Sequence, residues 1–428
     1  FALLQGIDAT GVALGDTFEV VDTPLNIVAG APALGRVLGA LGSAMDGGPA
    51  LQADHGGATE TPLVQRVRTV DERRKINRSM HTGVKLIDMI APLGCGQFLL
   101  VIGEKGTGKS GLCMDSVIAQ KHTDTVCVYA ALASDPAANQ QVVDALKAND
   151  VMGYTTVITA GANATTAERV AALFTAFAVG EAARDKGKDA LLLVDDMSCL
   201  TEFWEEIVKI ERSVDEATEG FEERAGQMVD YEGMMVTALS AERRRLLSTT
   251  IQRAAQLSDK NGGGSLSVLG VVPAVPGAYQ KGGLKKEPID VSKYETLSEE
   301  QKAKIIAALE KKAQQEVAAA SAQGGGISRE CIEEYMSISD GQILLEALDP
   351  VVGWNPSILM TISRLGLSAT SSAMRKLKMA DLRLNILQAD DAASLADNAA
   401  AQATERARAA VLRAAVTQQR PRRPASLA

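Results

Sequence analysis

No two cysteines in this chain stand in a CxxC spacing. The five that occur, Cys95, Cys113, Cys127, Cys199 and Cys331, are scattered and odd in number. That argues against a disulfide framework or a zinc site and fits buried thiols in a reducing compartment. Excess positive charge is also missing: 44 Lys and Arg face 53 Asp and Glu, a formal net charge of −9. A general nucleic-acid binder would show the opposite balance. No apolar run approaches the roughly 18 to 20 residues that span a bilayer. The chain starts at Phe1 rather than Met, and an upstream presequence is an expectation.

What is there describes an ordinary globular protein. The 428 residues are 46% apolar and 23% charged, enough for a large core and two or three domains. Residues 1–68 carry short β-like runs broken by Gly and Pro (TFEVVD, LNIVAG, LGRVLGALGSAMDG), the spacing of a small all-β barrel. After Val70 the runs FLLVIG, VCVYAAL, TTVITA, ALLLVDD and LSVLGVV are almost continuously apolar, and helical patterns separate most of them. Such alternation predicts an α/β domain with a parallel sheet wrapped by helices.

Two segments interrupt that domain. Residues 202–231 are strongly acidic and helix-prone. Residues 278–326 run from KGGLKKEPID into an Ala-rich stretch, where Ser298 and Gln301 form a capping box. Solvated surface helices are the plain account of both, a partner-binding insertion the sharper one. Residues 366–428 close the chain as a helical segment, with QQRPRRPASLA predicted disordered.

The stretch Gly103, Glu104, Lys105, Gly106, Thr107, Gly108, Lys109, Ser110 spells GxxxxGK[ST] directly behind FLLVI. Glycines there let consecutive N–H groups turn onto phosphate oxygens, and the following helix adds its positive end. Lys109 would reach the β- and γ-phosphates of a nucleotide, and the Ser110 hydroxyl would coordinate Mg²⁺. ALLLVDD ends a buried strand in Asp195 and Asp196, the placement of carboxylates that hold Mg²⁺ or its waters.

Five blocks in order then resemble the F-type ATP synthase alpha subunit, over roughly residues 15–380. They are LGRVLGALGSAMDGGPAL, MHTGVKLIDMIAPLGCGQFLLVIGEKGTGKS, IQRAAQLSDKNGGGSLSVL, SISDGQILLEA and TISRLGLSATSSAMRKLK. The resemblance implies a barrel crown, a RecA-like nucleotide domain over 69–365 and a helical C-terminal domain. It also implies ATP and Mg²⁺ on Gly108, Lys109 and Ser110, Asp195 near the metal, and Arg364 reaching into a neighbouring beta-like subunit's catalytic site. A hetero-oligomer follows, with no nucleic acid and with membrane contact only through the complex. The family's compartments point to a mitochondrion or chloroplast.

Departures from the family decide what the site is expected to do. Catalytic beta relatives carry a glutamate after the second core strand and alpha subunits a glutamine; here the matching residue is Ser134, with Asp135 as the nearest acid. Without a group to orient the attacking water, turnover falls by roughly 10² to 10⁴, so the site is expected to hold nucleotide without hydrolysing it. The family's proline-rich rotor-facing loop is absent, with residues 202–231 and AERRRLL in its region. Asn355 stands where an arginine is expected, and two residues are missing between Pro356 and Arg364. Three readings stay open: a non-catalytic alpha-like subunit, an alpha-derived scaffold in another complex, and an active P-loop ATPase.

Overall fold

The computed structural model describes residues 17, 19, 23–215, 226–276, 326–347, 355–364, 369–370, 376, 379–395 and 399–416. The chain enters through β1 (Asn26–Gly30), β2 (Val37–Leu38) and β3 (Ala58–Pro62), then β4 (Ser79–Met80), α1 (Lys85–Ile90) and β5 (Leu93–Gly94). Strands and helices next alternate: β6 (Phe98–Gly103), α2 (Lys109–Ile118), β7 (Val126–Ala131), α3 (Pro136–Ala148), β8 (Thr155–Thr159), α4 (Thr166–Asp185), β9 (Asp189–Asp195) and α5 (Ser198–Asp215). A hairpin of β10 (Met228–Tyr231) and β11 (Met234–Thr237) leads to α6 (Ala238–Ile251), β12 (Ala255–Gln256) and β13 (Ser265–Pro273). Then follow α7 (Arg329–Ile338), β14 (Gly341–Leu345), β15 (Ile362–Ser363), α8 (Met379–Leu395) and α9 (Ala399–Val416).

Every one of the five apolar runs becomes a strand of one nine-stranded sheet, ordered β15-β14-β6-β13-β9-β7-β8-β2 with β12 on β13. The central pairings β14–β6, β6–β13, β13–β9, β9–β7 and β7–β8 are all parallel. A sheet of this kind is covered on both faces, which is why its strands read as unbroken apolar runs. Alternation along each strand builds two cores. Phe98, Leu100 and Ile102 of β6, with Val128, Leu192 and Val268, face the core completed by α4, α5, α6 and α7. Leu99 and Val101, with Tyr129, Leu193 and Leu269, face the core completed by α1, α2 and α3. Each such buried large side chain stabilises the fold by about 1.5–3 kcal/mol.

Where they are described, the first 68 residues form three short strands. β1 and β3 pair as an antiparallel ribbon. β2 instead runs parallel to β8 at the edge of the main sheet. Ile27, Ala29, Ala33, Leu38 and Leu63 join the core that Phe98 and Phe177 also occupy. Packing is therefore continuous across residue 68, because these side chains bury themselves against α4. TFEVVD lies largely outside the described residues.

The acidic segment is helical in its first described part. α5 carries it to Asp215; further on, MVDY and MMVT pair across Glu232 and Gly233, whose φ values are 52° and 84°. Two consecutive left-handed residues match the twist of a two-residue hairpin turn. Residues 277–325, with the Ser298–Gln301 capping box, and the tail after Val416 lie outside the described residues. The Ala-rich C-terminal stretch forms α8 and α9, and Ile386 packs with Leu86 of α1 and Ile358.

Candidate nucleotide-binding site

Parallel strands end on one edge, and the register aligns their ends. Gly103 of β6 stands opposite Pro273 of β13 and Leu345 of β14, and Ala131 of β7 opposite Asp195 of β9. Ligands of open α/β sheets bind at that edge. Here the loop Gly103–Ser110 closes over it, and a cavity of about 900 Å³ opens beside the loop.

The loop has the backbone its motif demands. Gly106 and Gly108 sit at φ 83° and 86°, a left-handed conformation that costs an L side chain about 1–2 kcal/mol. Gly108 is the N-cap of α2, and no side chain caps that end, so the first N–H groups of the helix remain available to an anion. Thr107 is buried and donates its hydroxyl to the Glu104 carbonyl at 2.9 Å, fixing the turn. Lys105, Gly106, Gly108, Lys109 and Ser110 all face the cavity.

Lys109 lies along its own loop and donates from Nζ to the Glu104 carbonyl at 2.6 Å. Burial pulls its ammonium below the usual lysine range, while Asp195 and Asp196 work the other way. A desolvated cation with one carbonyl partner has donors to spare for phosphate oxygens. Asp195 faces the same cavity, and the Tyr129 hydroxyl, itself buried, orients it by donating to Oδ2 at 2.8 Å. Burial pushes the neighbouring Asp196 carboxyl up to about 6, and it accepts from the Ser198 N–H at 2.9 Å and from the Ser198 hydroxyl.

This donor set fits a magnesium nucleotide: glycine N–H groups and Lys109 for phosphates, the Ser110 hydroxyl and the oriented Asp195 for the ion. Among the described residues, no group of three or more His, Cys, Asp or Glu is placed to hold a metal alone. Magnesium is held in this way by one or two protein oxygens together with phosphates and water.

Sequence reasoning missed the brace on the opposite wall. Arg169 of α4 donates to the Ser134 hydroxyl at 2.9 Å and to the Glu202 carboxylate of α5. It ties the loop after β7 to two helices. Glu202 was legible only as one acid of an acidic helix, and its pairing with a residue 33 positions away had no local signal. Asp135 caps α3, its Oδ1 accepting from the Ala137 N–H at 2.9 Å. Asp135→Ala should accordingly cost about 1 kcal/mol of stability, as a lost N-cap does. Urea denaturation checks this, and nucleotide affinity should stay within twofold.

Arg364 stands apart from the cavity lining. Its guanidinium donates to the carbonyls of Met336, Ser337 and Ser339, closing the C-terminal end of α7, where a cation is favourable. Asn355 donates to the Ala347 carbonyl at 3.3 Å.

Known proteins agree with this geometry. Residues 83–277 match the model of the ATP synthase alpha/beta family, nucleotide-binding domain. ATP synthase subunit alpha of Limosilactobacillus reuteri is 28% identical over 391 residues, which cover 91% of this chain and 63% of that protein. The Ehrlichia chaffeensis subunit is 27% identical over 379 residues, 86% of this chain and 60% of its own length. That of Aquifex aeolicus is 28% identical over 381 residues, covering 89% and 61%. The chain thus spans about three-fifths of the length of the curated relatives it matches. With the phosphate loop, the strand-end carboxylate and this likeness in agreement, residues 83–277 carry the nucleotide-binding domain of the ATP synthase alpha/beta family, and the chain as a whole is similar to alpha subunits.

Proposed function

We propose that this chain is a non-catalytic subunit that holds Mg-ATP as a structural joint, in contact with beta-like subunits of an ATP synthase or a related assembly. The observation that carries the reading is at Ser134. A short neutral hydroxyl, already bound by Arg169, stands where a catalytic relative would place a carboxylate. Asp135 beside it is committed to capping α3. Neither orients an attacking water, and the loss of such a group costs roughly 10² to 10⁴ in rate.

Binding itself is well provided. Lys109 would turn from the Glu104 carbonyl to the β- and γ-phosphates, and the N–H groups of Gly106–Ser110 would take the remaining oxygens. Ser110 and Asp195 would hold the magnesium, which when bound neutralises charge between the phosphates. Presenting Arg364 to a neighbour belongs to the same proposal, and it requires the guanidinium to loosen its hold on α7. An organellar setting, mitochondrion or chloroplast, is likewise proposed, and cell fractionation tests it.

The test is nucleotide retention against turnover. Purified chain incubated with Mg-ATP should retain ATP and release phosphate no faster than Lys109→Ala. Steady hydrolysis abolished by that substitution would overturn the non-catalytic reading.

A second reading, an alpha-derived scaffold in another complex, draws on the β10–β11 hairpin, which leaves Met228, Met234 and Met235 exposed. Flexible thioethers suit adaptable binding surfaces. Purification from the native source should recover beta-like subunits under the first reading and unrelated proteins under this one.

A further inference from the structure

The cavity extends in one direction from the phosphate loop. Its lining comes from the ends of β13, β9 and β7 and never from β14, so it opens on the Asp195 side, where the metal and the outermost phosphate would point. The far wall there is built by α5, α6 and the start of α7, and from α6 it receives Arg243. Apart from Lys105 and Lys109 on the loop itself, Arg243 is the lining cation among the described residues.

Its pairing leaves it able to bind an anion. The buried Glu334 carboxylate of α7 is shared by two guanidiniums, with Arg243 Nε 2.7 Å from Oε2 and Arg244 Nε 3.1 Å from Oε1. Two cations on one carboxylate leave a surplus positive charge. Among the described residues the ion pair of Arg243 runs through Nε, and the Nη groups at its outer end carry further N–H donors. The side chain is 35% exposed, against 4% for Glu334, so the pair is anchored on its protein side and open on the cavity side.

We propose that Arg243 binds the terminal phosphate of the nucleotide held by the loop in the same chain. This deepens the nucleotide-holding reading and rests on it. The carboxylates Asp195, Glu202 and Glu205 share the cavity, and the triphosphate's magnesium offsets the first of them. Arg364, spent on α7, leaves this chain's own third phosphate to Arg243. A fixed guanidinium opposite the loop makes the site prefer a triphosphate over a diphosphate.

Titration calorimetry with Mg-ATP and Mg-ADP tests this. Arg243→Ala should weaken ATP by about tenfold or more, as loss of a charged hydrogen bond does, and leave ADP within twofold. Arg244→Ala removes the other half of the Glu334 pair without touching the cavity, so its ATP-to-ADP ratio should equal that of the parent. Arg243→Met, similar in length, serves if the alanine variant does not fold. An unmoved ratio in the Arg243 variants overturns the inference alone, as does an equal change in Arg244→Ala. Failure of the unsubstituted chain to bind Mg-ATP overturns the nucleotide reading and this inference together.

Discussion

Lys109→Ala is expected to remove measurable Mg-ATP binding while the fold persists. Lys109 lines the cavity, and among the described residues it donates to a carbonyl of its own loop, so its loss leaves the packing of the fold in place. Removing one member of a desolvated charge pair costs about 2–5 kcal/mol. That corresponds to roughly a 30-fold to several-thousand-fold rise in Kd. Calorimetry reads the affinity, and circular dichroism should superimpose on that of the parent. A Kd within threefold of the parent would mean that the nucleotide, if bound, lies elsewhere.

Glu181→Ala carries the largest expected effect on stability. Glu181 of α4 is buried between two arginines. Arg253 donates to its oxygens at 2.6 and 3.0 Å, and Arg184 lies 3.8 Å away. Both guanidiniums are also buried, with side-chain exposures of 3% and 1%. Arg253 further stacks over Phe177 at 4.8 Å and donates to the Leu63 carbonyl. Arg184 keeps Asp185 at 2.9 Å, but removing the carboxylate leaves the buried Arg253 without its charged partner, which costs about 3–5 kcal/mol. Glu333→Ala provides the contrast. Its i,i+4 pair with Arg329 is half exposed on both sides, and exposed pairs contribute at most about 1 kcal/mol. Urea denaturation of both variants should separate them by more than 2 kcal/mol. Equal midpoints would show that the buried cluster is not what fastens the N-terminal segment to α4.

The same cluster shows what pattern alone leaves open in the N-terminal segment. LNIVAG does form a strand, and its alternation is correct. What such a strand packs against depends on side chains far away in the chain, here Phe177 in one core with Ile27 and Ala29, with Arg253 on the Leu63 carbonyl. Similarly, the acidic run around Glu202 predicted a helix and obtained one to Asp215, while the hairpin after it rested on two left-handed residues. A Glu-Gly pair is a weaker turn signal than Asn-Gly.

Sequence alone was enough for the five central strands, the glycine-rich turn before α2, Asp195 at a strand end and the likeness to the family. These features are local: a run of apolar residues, a glycine spacing and a carboxylate at a register position each carry their own physical reason. Tertiary packing settled what surrounds them. It set Ser134 and Glu202 on one arginine and spent Asp135 on a helix cap. It bound Arg364 to the end of α7 and brought Arg243 to the wall of the cavity. Each of these is a pairing between distant elements, governed by which buried charge finds a partner, and no spacing along a single chain encodes that choice.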